Sequence, residues 1–170
     1  MFVQFIMMLL LAVGVVTNAH AEDTSGDKHH MEKHRITVLE FEGVDVEQAL
    51  LVSLADEARV ALLDDLNLGD FIILTHDNTL TILSDMGLTE SAFEGKDAVE
   101  IGRNIHVEYI ITGTVAKVDR TYIVTLKMYD TNTAKLLYAS HVESKRLSKL
   151  YKRVYKSTQE GIDKYLVLNE

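Results

Sequence analysis

The spacing between apolar residues falls from about four to two near Ile105, and this change is the feature that most constrains the fold. Beyond it, alternate residues are apolar over about 107–115, 122–128 and 136–142, as in strands that bury one face. Turn-forming residues separate these runs, which favours an antiparallel meander. An amphipathic helix over about 147–165 follows, with its lysine and arginine residues on the outer face.

The first half of the chain is predicted to alternate between strands and helices. A β-branched run over 36–41 predicts a buried strand. Asp45, with Gln48 three residues later, forms a capping-box pattern that starts a long helix, and Gly69 is its predicted stop. The apolar run over 71–74 predicts a second strand, parallel to the first because a long helix joins the two.

Two short helices are predicted before the meander. Asp77 is expected to cap the first helix, and Gly87 to end it. Asp97 is expected to start the second helix, which runs to about Asn104.

The predicted element order is β-α-β-α-α-β-β-β-α. It describes an α/β (α+β) fold in which a single-domain mixed β-sheet is packed with helices. Gly102 is interpreted as a site of close packing and Asn104 as a left-handed residue of the turn that follows. Gly113, in mid-strand, predicts a bulge or the close approach of a helix.

The amino terminus has the features of an export signal. Residues 1–21 carry no charged side chain and include an apolar run over 5–16 that is too short to span a bilayer. Ala19-His20-Ala21 matches the small-x-small pattern of a signal-peptidase site, although the usual lysine or arginine ahead of the run is missing. We predict cleavage after Ala21. The predicted organisation is signal peptide 1–21, a flexible histidine-containing arm 22–34, and one globular domain 35–170.

Composition and charge limit the function. The absence of cysteine excludes a disulfide framework, thiolate metal sites and a lipid-modified cysteine. A formal net charge of -9 argues against a nucleic-acid partner, because phosphate contacts need clustered lysine and arginine. The last 30 residues, 141–170, nevertheless hold 7 basic against 4 acidic side chains. Those on the final helix are candidate contacts for an acidic partner or a neighbouring subunit, with a solvated helix face as the alternative: Lys149, Lys152, Arg153 and Lys156.

Several segments together resemble a known family: 37–42 (TVLEFE), 54–59 (LADEAR), 83–87 (LSDMG), 100–105 (EIGRNI) and 109–113 (YIITG). The chain resembles the anticodon-binding-like periplasmic domain of the TolB amino-terminal region, the curli secretion channel protein and the lipoprotein activators of penicillin-binding proteins. The resemblance spans about 35–145 and is nearest to exported deltaproteobacterial proteins.

This resemblance implies a noncatalytic module of the periplasm, without a cofactor, that acts through protein contact, assembly or regulation. The implied partner is an envelope protein or a second copy of the chain. A lipid anchor, which the curli channel proteins and the activators carry on a cysteine, is excluded, whereas peripheral association with the outer membrane stays open.

A second hypothesis is periplasmic metal binding by the arm. His29, His30 and His34 surround Met31 and Glu32 in one short stretch. Imidazole with thioether suits copper or nickel, and imidazole with carboxylate suits zinc. A solvated linker with incidental histidines is the alternative, because an arm has no neighbouring groups to orient the ligands.

A third hypothesis, a small envelope hydrolase, has little support. Ser53 and Ser84 lie outside any Gly-x-Ser-x-Gly motif. The histidines of the folded region fall in separate predicted elements: His76, His106 and His141. The adjacent acids Asp64 and Asp65 are predicted to be a solvated pair on an outer helix face.

Overall fold

The structure, a computed structural model, describes residues 33–87 and 98–167. The predicted signal peptide, most of the predicted arm and the predicted helix start at Asp97 lie outside those ranges. In chain order the elements are β1 (His34–Val38), β2 (Glu42–Val44), α1 (Gln48–Asp65), β3 (Phe71–Leu74), α2 (His76–Asp85), α3 (Ala98–Asn104), β4 (Tyr109–Val118), β5 (Thr121–Asp130), β6 (Lys135–Ser144) and α4 (Leu147–Ile162). A π-helical turn, Asp163–Val167, extends α4.

The strands form one mixed sheet in the order β3-β1-β4-β5-β6, with β2 beside β4 in line with β1. β1 is parallel to both β3 and β4, with Ile36 opposite Ile73 and Tyr109. β4, β5 and β6 are successive antiparallel neighbours. The predicted fold class, the parallel pair and the meander are therefore confirmed.

The first predicted strand is in fact two strands. β1 and β2 both pair with β4, and the chain leaves the sheet between them. Phe41, 2% exposed, turns its ring over Gly113, where a Cβ built in ideal geometry would lie 2.6 Å from the ring. Gly113 therefore marks the close approach of a side chain, and the prediction of a bulge or a nearby helix was wrong.

The ends of α1 also differ from the prediction. Glu47 is the N-cap and makes no side-chain cap hydrogen bond. Asp45, two residues earlier, adopts a positive φ of 57° and does not form the predicted capping box. α1 ends at Asp65. Gly69 lies in the turn that follows, where its N–H donates to Asn67 Oδ1 at 2.9 Å.

A threonine caps α2 in place of the predicted aspartate. Thr75 Oγ1 accepts a hydrogen bond from the Asn78 N–H at 3.2 Å, and Asp77 lies in the first turn of the helix. Gly87, with a φ of 70°, follows the helix as predicted.

The turn from α3 into β4 confirms one prediction and corrects another. Gly102 packs against the methyl group of Thr131, which leaves no room for a Cβ. The left-handed residue is His106, with a φ of 56°, and not Asn104.

The two faces of the sheet are covered unequally. α1 and α4 cover one face and enclose the larger core, which includes Leu54, Leu62, Leu126, Leu150 and Ile162. α2 and α3 cover part of the other face, over a smaller core that includes Leu83, Ile101, Ile105 and Ile110. The far end of β4 is open on that second face, where Thr114, Ala116 and Val118 are exposed.

Candidate functional site

Charged side chains gather at the carboxyl ends of β1 and β3, the edge where open α/β sheets bind ligands. Glu40 follows β1, and His76 is the first residue of α2. Arg59 of α1, 8% exposed, donates from Nη2 to Glu40 Oε1 at 2.9 Å and to the Val38 carbonyl at 3.0 Å. His76 Nδ1 lies 3.2 Å from the same Glu40 oxygen. These contacts join the end of β1 to both α1 and α2.

Two carboxylates neutralise the buried guanidinium. Arg59 Nη1 also donates to Asp56 Oδ1 at 2.6 Å, one helical turn away. Arg59 Nε and Glu40 Oε2 are buried without a hydrogen-bond partner, so the ion pair carries a desolvation cost. This arrangement fixes the position of Glu40 at the end of β1.

A groove of about 390 Å³ opens beside Glu40 on the less covered face of the sheet. Hydroxyl and charged groups from β2, β4 and β5 line it, together with Ala98 and Ile101 of α3. The polar lining residues include Glu42, Thr112, Thr114, Thr125 and Lys127. Its volume lies within the ~300–1,000 Å³ typical of small-molecule pockets, and its mixed hydroxyl and charged lining suits a polar occupant.

The residues considered for nucleophilic catalysis lie in several elements, and His76 and Ser84 share α2. Ser53, on α1, donates its hydroxyl to the Ala49 carbonyl at 2.7 Å within its own helix. Ser84 is exposed on α2, and His141 is exposed on β6.

His34 is the first residue of β1, so this strand begins one residue before the predicted boundary at Arg35. His34 Nδ1 pairs with the Glu108 carboxylate. Its ring centroid lies 5.6 Å from that of Phe71 and 5.9 Å from that of Tyr109. His34 therefore belongs to the sheet.

The other proposed metal ligands, His29 and His30, lie outside the described residues, so metal binding by the arm stays a prediction. Over 33–87 and 98–167, no three histidine, aspartate or glutamate side chains are grouped to hold a metal ion.

Tyr109, the first residue of β4, lies near the acids Asp130 and Glu108. Burial raises the pKa of its hydroxyl above the usual 10.0, and the charges of Asp130 and Glu108 raise the pKa further. The neutral phenol is thus favoured in the folded protein.

The four predicted contact residues of α4 lie together on its outer face. Lys149, Lys152, Arg153 and Lys156 are all exposed and follow the i, i+3, i+4, i+7 spacing of one helix stripe. The opposite stripe is buried against the sheet and α1: Leu150, Val154, Ser157, Thr158, Gly161 and Ile162. We call the four exposed cations the basic stripe.

Within the described part of the chain, Arg153 and Lys156 are the members of the basic stripe that contact other groups. Arg153 donates to the backbone carbonyl of Glu143. Lys156 Nζ lies 3.9 Å from Glu160 Oε1, a distant and exposed pair that contributes little stability. The stripe therefore presents its positive charge to solvent.

The acidic pair at the end of α1 has a structural role that the sequence interpretation missed. Asp64 accepts a hydrogen bond from the Tyr155 hydroxyl at 2.8 Å, and Asp65 accepts one from Gln159 at 2.7 Å. The hydrogen bond to Asp64 raises the pKa of Tyr155. The i, i+4 spacing of Tyr155 and Gln159 was the available signal, since it places both side chains on one side of α4.

None of the described helices is both long and apolar enough to cross a membrane.

No protein-family model and no curated protein matches the chain. Its fold does match solved structures. The LpoB C-terminal domain from Escherichia coli superposes with a TM-score of 0.51 at 14% identity, over 71% of this chain and 88% of that domain. Lipoprotein GNA1162 from Neisseria meningitidis superposes with a TM-score of 0.54 at 11% identity, over 78% and 98%. TolB from Acinetobacter baumannii gives 0.50 at 14% identity, over 77% of this chain and 28% of TolB.

These likenesses show a shared fold. They agree with the predicted resemblance to TolB-type domains at the level of architecture. The predicted likenesses to the curli secretion channel protein and to deltaproteobacterial proteins stay predictions.

Proposed function

We propose that the chain is an exported envelope protein that acts without catalysis, by binding another protein through the basic stripe of α4. Its fold is similar to that of the LpoB C-terminal domain, of a lipoprotein and of a part of TolB, and the amino-terminal sequence predicts export. These two features support the compartment and the class of function.

The observation that carries the proposal is the basic stripe itself. It concentrates four exposed cations on one helix of a chain whose formal net charge is -9. Apart from Arg153, which donates to the Glu143 carbonyl, the residues that fix α4 against the sheet lie on its other side, so the three lysines of the stripe contribute little to the fold. A cationic patch of this kind attracts an acidic surface and orients it.

Crosslinked capture from envelope fractions tests the proposal. We expect the chain without residues 1–21 to capture a discrete protein, and Lys149→Glu/Lys152→Glu to lose it. The matched control is Lys117→Glu/Lys135→Glu, which makes the same charge change at exposed positions on β4 and β6 and should retain the partner. Capture should weaken as salt rises, because exposed charges are screened over about 8 Å at physiological ionic strength.

Three outcomes would contradict the proposal. The chain captures nothing, both double variants capture the partner equally, or the stripe binds vesicles of anionic phospholipid and no protein. Peripheral association with a membrane would then be the better account.

The alternative, metal binding by the arm, rests on His29 and His30. Removing residues 22–34 separates the two hypotheses, because capture through α4 should survive the deletion and metal binding should not. Since His34 belongs to β1, a second deletion that ends at Lys33 serves as the control for damage to the sheet.

A further inference from the structure

We propose that the outer face of the α1–α4 helix layer binds a second copy of this chain, in a two-fold dimer that sets α1 of each copy against α4 of the other. This inference rests on the proposed function, because it assigns a partner to the same basic stripe.

α4 runs antiparallel to β6. Arg153, in the first half of the helix, donates to the carbonyl of Glu143 near the end of β6. Gly161, near the end of the helix, packs on the ring of Tyr138 near the start of β6, where an ideal Cβ would lie 2.8 Å from the ring. Residue numbers therefore rise along α4 where they fall along β6.

α1 likewise runs antiparallel to β1 and β2. Leu51, near the start of α1, lies over Gly43 of β2, and Arg59, a little over two turns later, reaches back to the Val38 carbonyl of β1. β1 and β6 point the same way, because β1 is parallel to β4 and two antiparallel pairings separate β4 from β6. α1 and α4 are therefore parallel neighbours on one face of the sheet.

The outer faces of these two helices carry opposite charge. On α1, Asp56 and Asp64 are exposed and Glu57 is half-buried. The one basic residue of α1, Arg59, is buried and neutralised by its own carboxylates. On α4 the outer face is the basic stripe, with Glu160 at its far end.

A two-fold axis that runs between the helices and parallel to them exchanges their positions. It places the acidic face of α1 over the basic stripe of the other copy, and the same contact forms twice, as an isologous interface requires. The Tyr155–Asp64 hydrogen bond fixes the relative height of the helices. Lys149 precedes Tyr155 by about as many residues as Glu57 precedes Asp64, so Lys149 and Glu57 lie at about the same height along their helices. In the dimer, Lys149 of one copy therefore faces Glu57 of the other.

The layer also offers exposed apolar side chains and sufficient area. Val60 is 46% exposed and Leu63 is 53% exposed on the outer side of α1. α1 extends ~27 Å, and α1 and α4 side by side are ~20 Å wide. The outer face of the two helices therefore has an area of ~500 Å² per copy. A total of ~1,000 Å² lies at the lower limit for a specific interface, so the dimer should be weak and sensitive to salt.

Paired charge reversals provide the test. Lys149→Glu/Lys152→Glu places two acids of α4 opposite the acidic face of α1, and Ser53→Lys/Glu57→Lys places two cations of α1 opposite the basic stripe while leaving Asp56 with Arg59 and Asp64 with Tyr155. Sedimentation velocity at low salt should show a wild-type dimer that dissociates as salt is added. Each variant alone should have a dissociation constant raised at least about tenfold, because like charges then face each other.

The equimolar mixture of the two variants should restore the dimer, since the introduced glutamates of one chain then face the introduced lysines of the other, and the second contact keeps its original charges. Such recovery would also show that both variants are folded. A wild type that stays monomeric at low salt, a dimer that neither variant weakens, or a mixture that stays monomeric would overturn the inference. A monomeric wild type that still captures an envelope protein through Lys149 and Lys152 would overturn the dimer and leave the proposed function intact.

Discussion

Gly113 shows how one residue sets the path of the chain. Its missing Cβ leaves space for the ring of Phe41, and that ring fills the place where β1 and β2 would otherwise join. The contact could not be predicted from the sequence, because the two residues are 72 positions apart and no local pattern relates them.

Replacing Gly113 with alanine should lower the free energy of unfolding by about 1–3 kcal/mol, the usual cost of overpacking a filled core. The new methyl group would meet the Phe41 ring near its base, where the side chain cannot easily move away. Urea unfolding measures the effect. Gly69→Ala is the control, because a Cβ there meets only the exposed Asn67 side chain, at 3.1 Å. Equal losses in the two variants would contradict the proposed packing role.

The raised pKa of Tyr109 predicts how the free energy of unfolding depends on pH. Because its pKa is raised in the folded state, the unfolded chain loses this proton first as the pH passes 10. The contribution of the Tyr109 hydroxyl to the free energy of unfolding is therefore complete below pH 10, and it is lost as the pH rises through the pKa of the folded state. Urea unfolding on either side of pH 10 should show a smaller alkaline loss for Tyr109→Phe than for the wild type. An unchanged alkaline loss would mean that Tyr109 does not titrate differently in the two states.

At the scale of the elements, periodic patterns of apolar residues predicted the strands and helices correctly, whereas the residues expected to cap the helices were predicted wrongly. The alternating runs predicted β4, β5 and β6, because a strand that buries one face needs only its own alternation. The caps at Asp45 and Asp77 were wrong, since each depended on a backbone conformation that the neighbouring elements decide. The basic stripe was found because an amphipathic helix shows its outer face in its own sequence.

The Glu40–Arg59 cluster was missed for the opposite reason. Its members come from a strand end and two helices, and they meet only in the folded chain. The available signal was an arginine next to Ala58, within the apolar side of the long predicted helix.

The uncapped start of α1 predicts a stabilising substitution. Glu47→Ser should raise the free energy of unfolding by about 0.5–1 kcal/mol, because a short hydroxyl side chain at the N-cap accepts a hydrogen bond from an unpaired N–H of the first turn. Thermal unfolding followed by circular dichroism measures the gain. Glu47→Ala removes the same carboxylate without providing an acceptor, so equal stability of the two variants would contradict the explanation.

At the scale of the whole molecule, the absence of proline affects how the chain refolds. With no proline in its 170 residues, the chain has no X-Pro bond that can isomerise in the unfolded state. Refolding from urea should therefore lack a phase in the range of about 10–100 s, the time that proline isomerisation takes. A double-jump experiment checks this, because the refolding amplitudes should not depend on how long the chain was unfolded. A slow phase that grows with the unfolding delay would contradict the prediction.

The position of β1 has a consequence for synthesis. The strand lies inside the sheet, between β3 and β4, and it is the first of the described strands to be synthesised, whereas β4 is complete only at Val118. At ~5–20 residues per second, Ile36 and Val38 wait roughly 4–16 s for that neighbour. During this interval the nascent chain cannot close its sheet and stays accessible to any chaperone or translocation machinery that it meets.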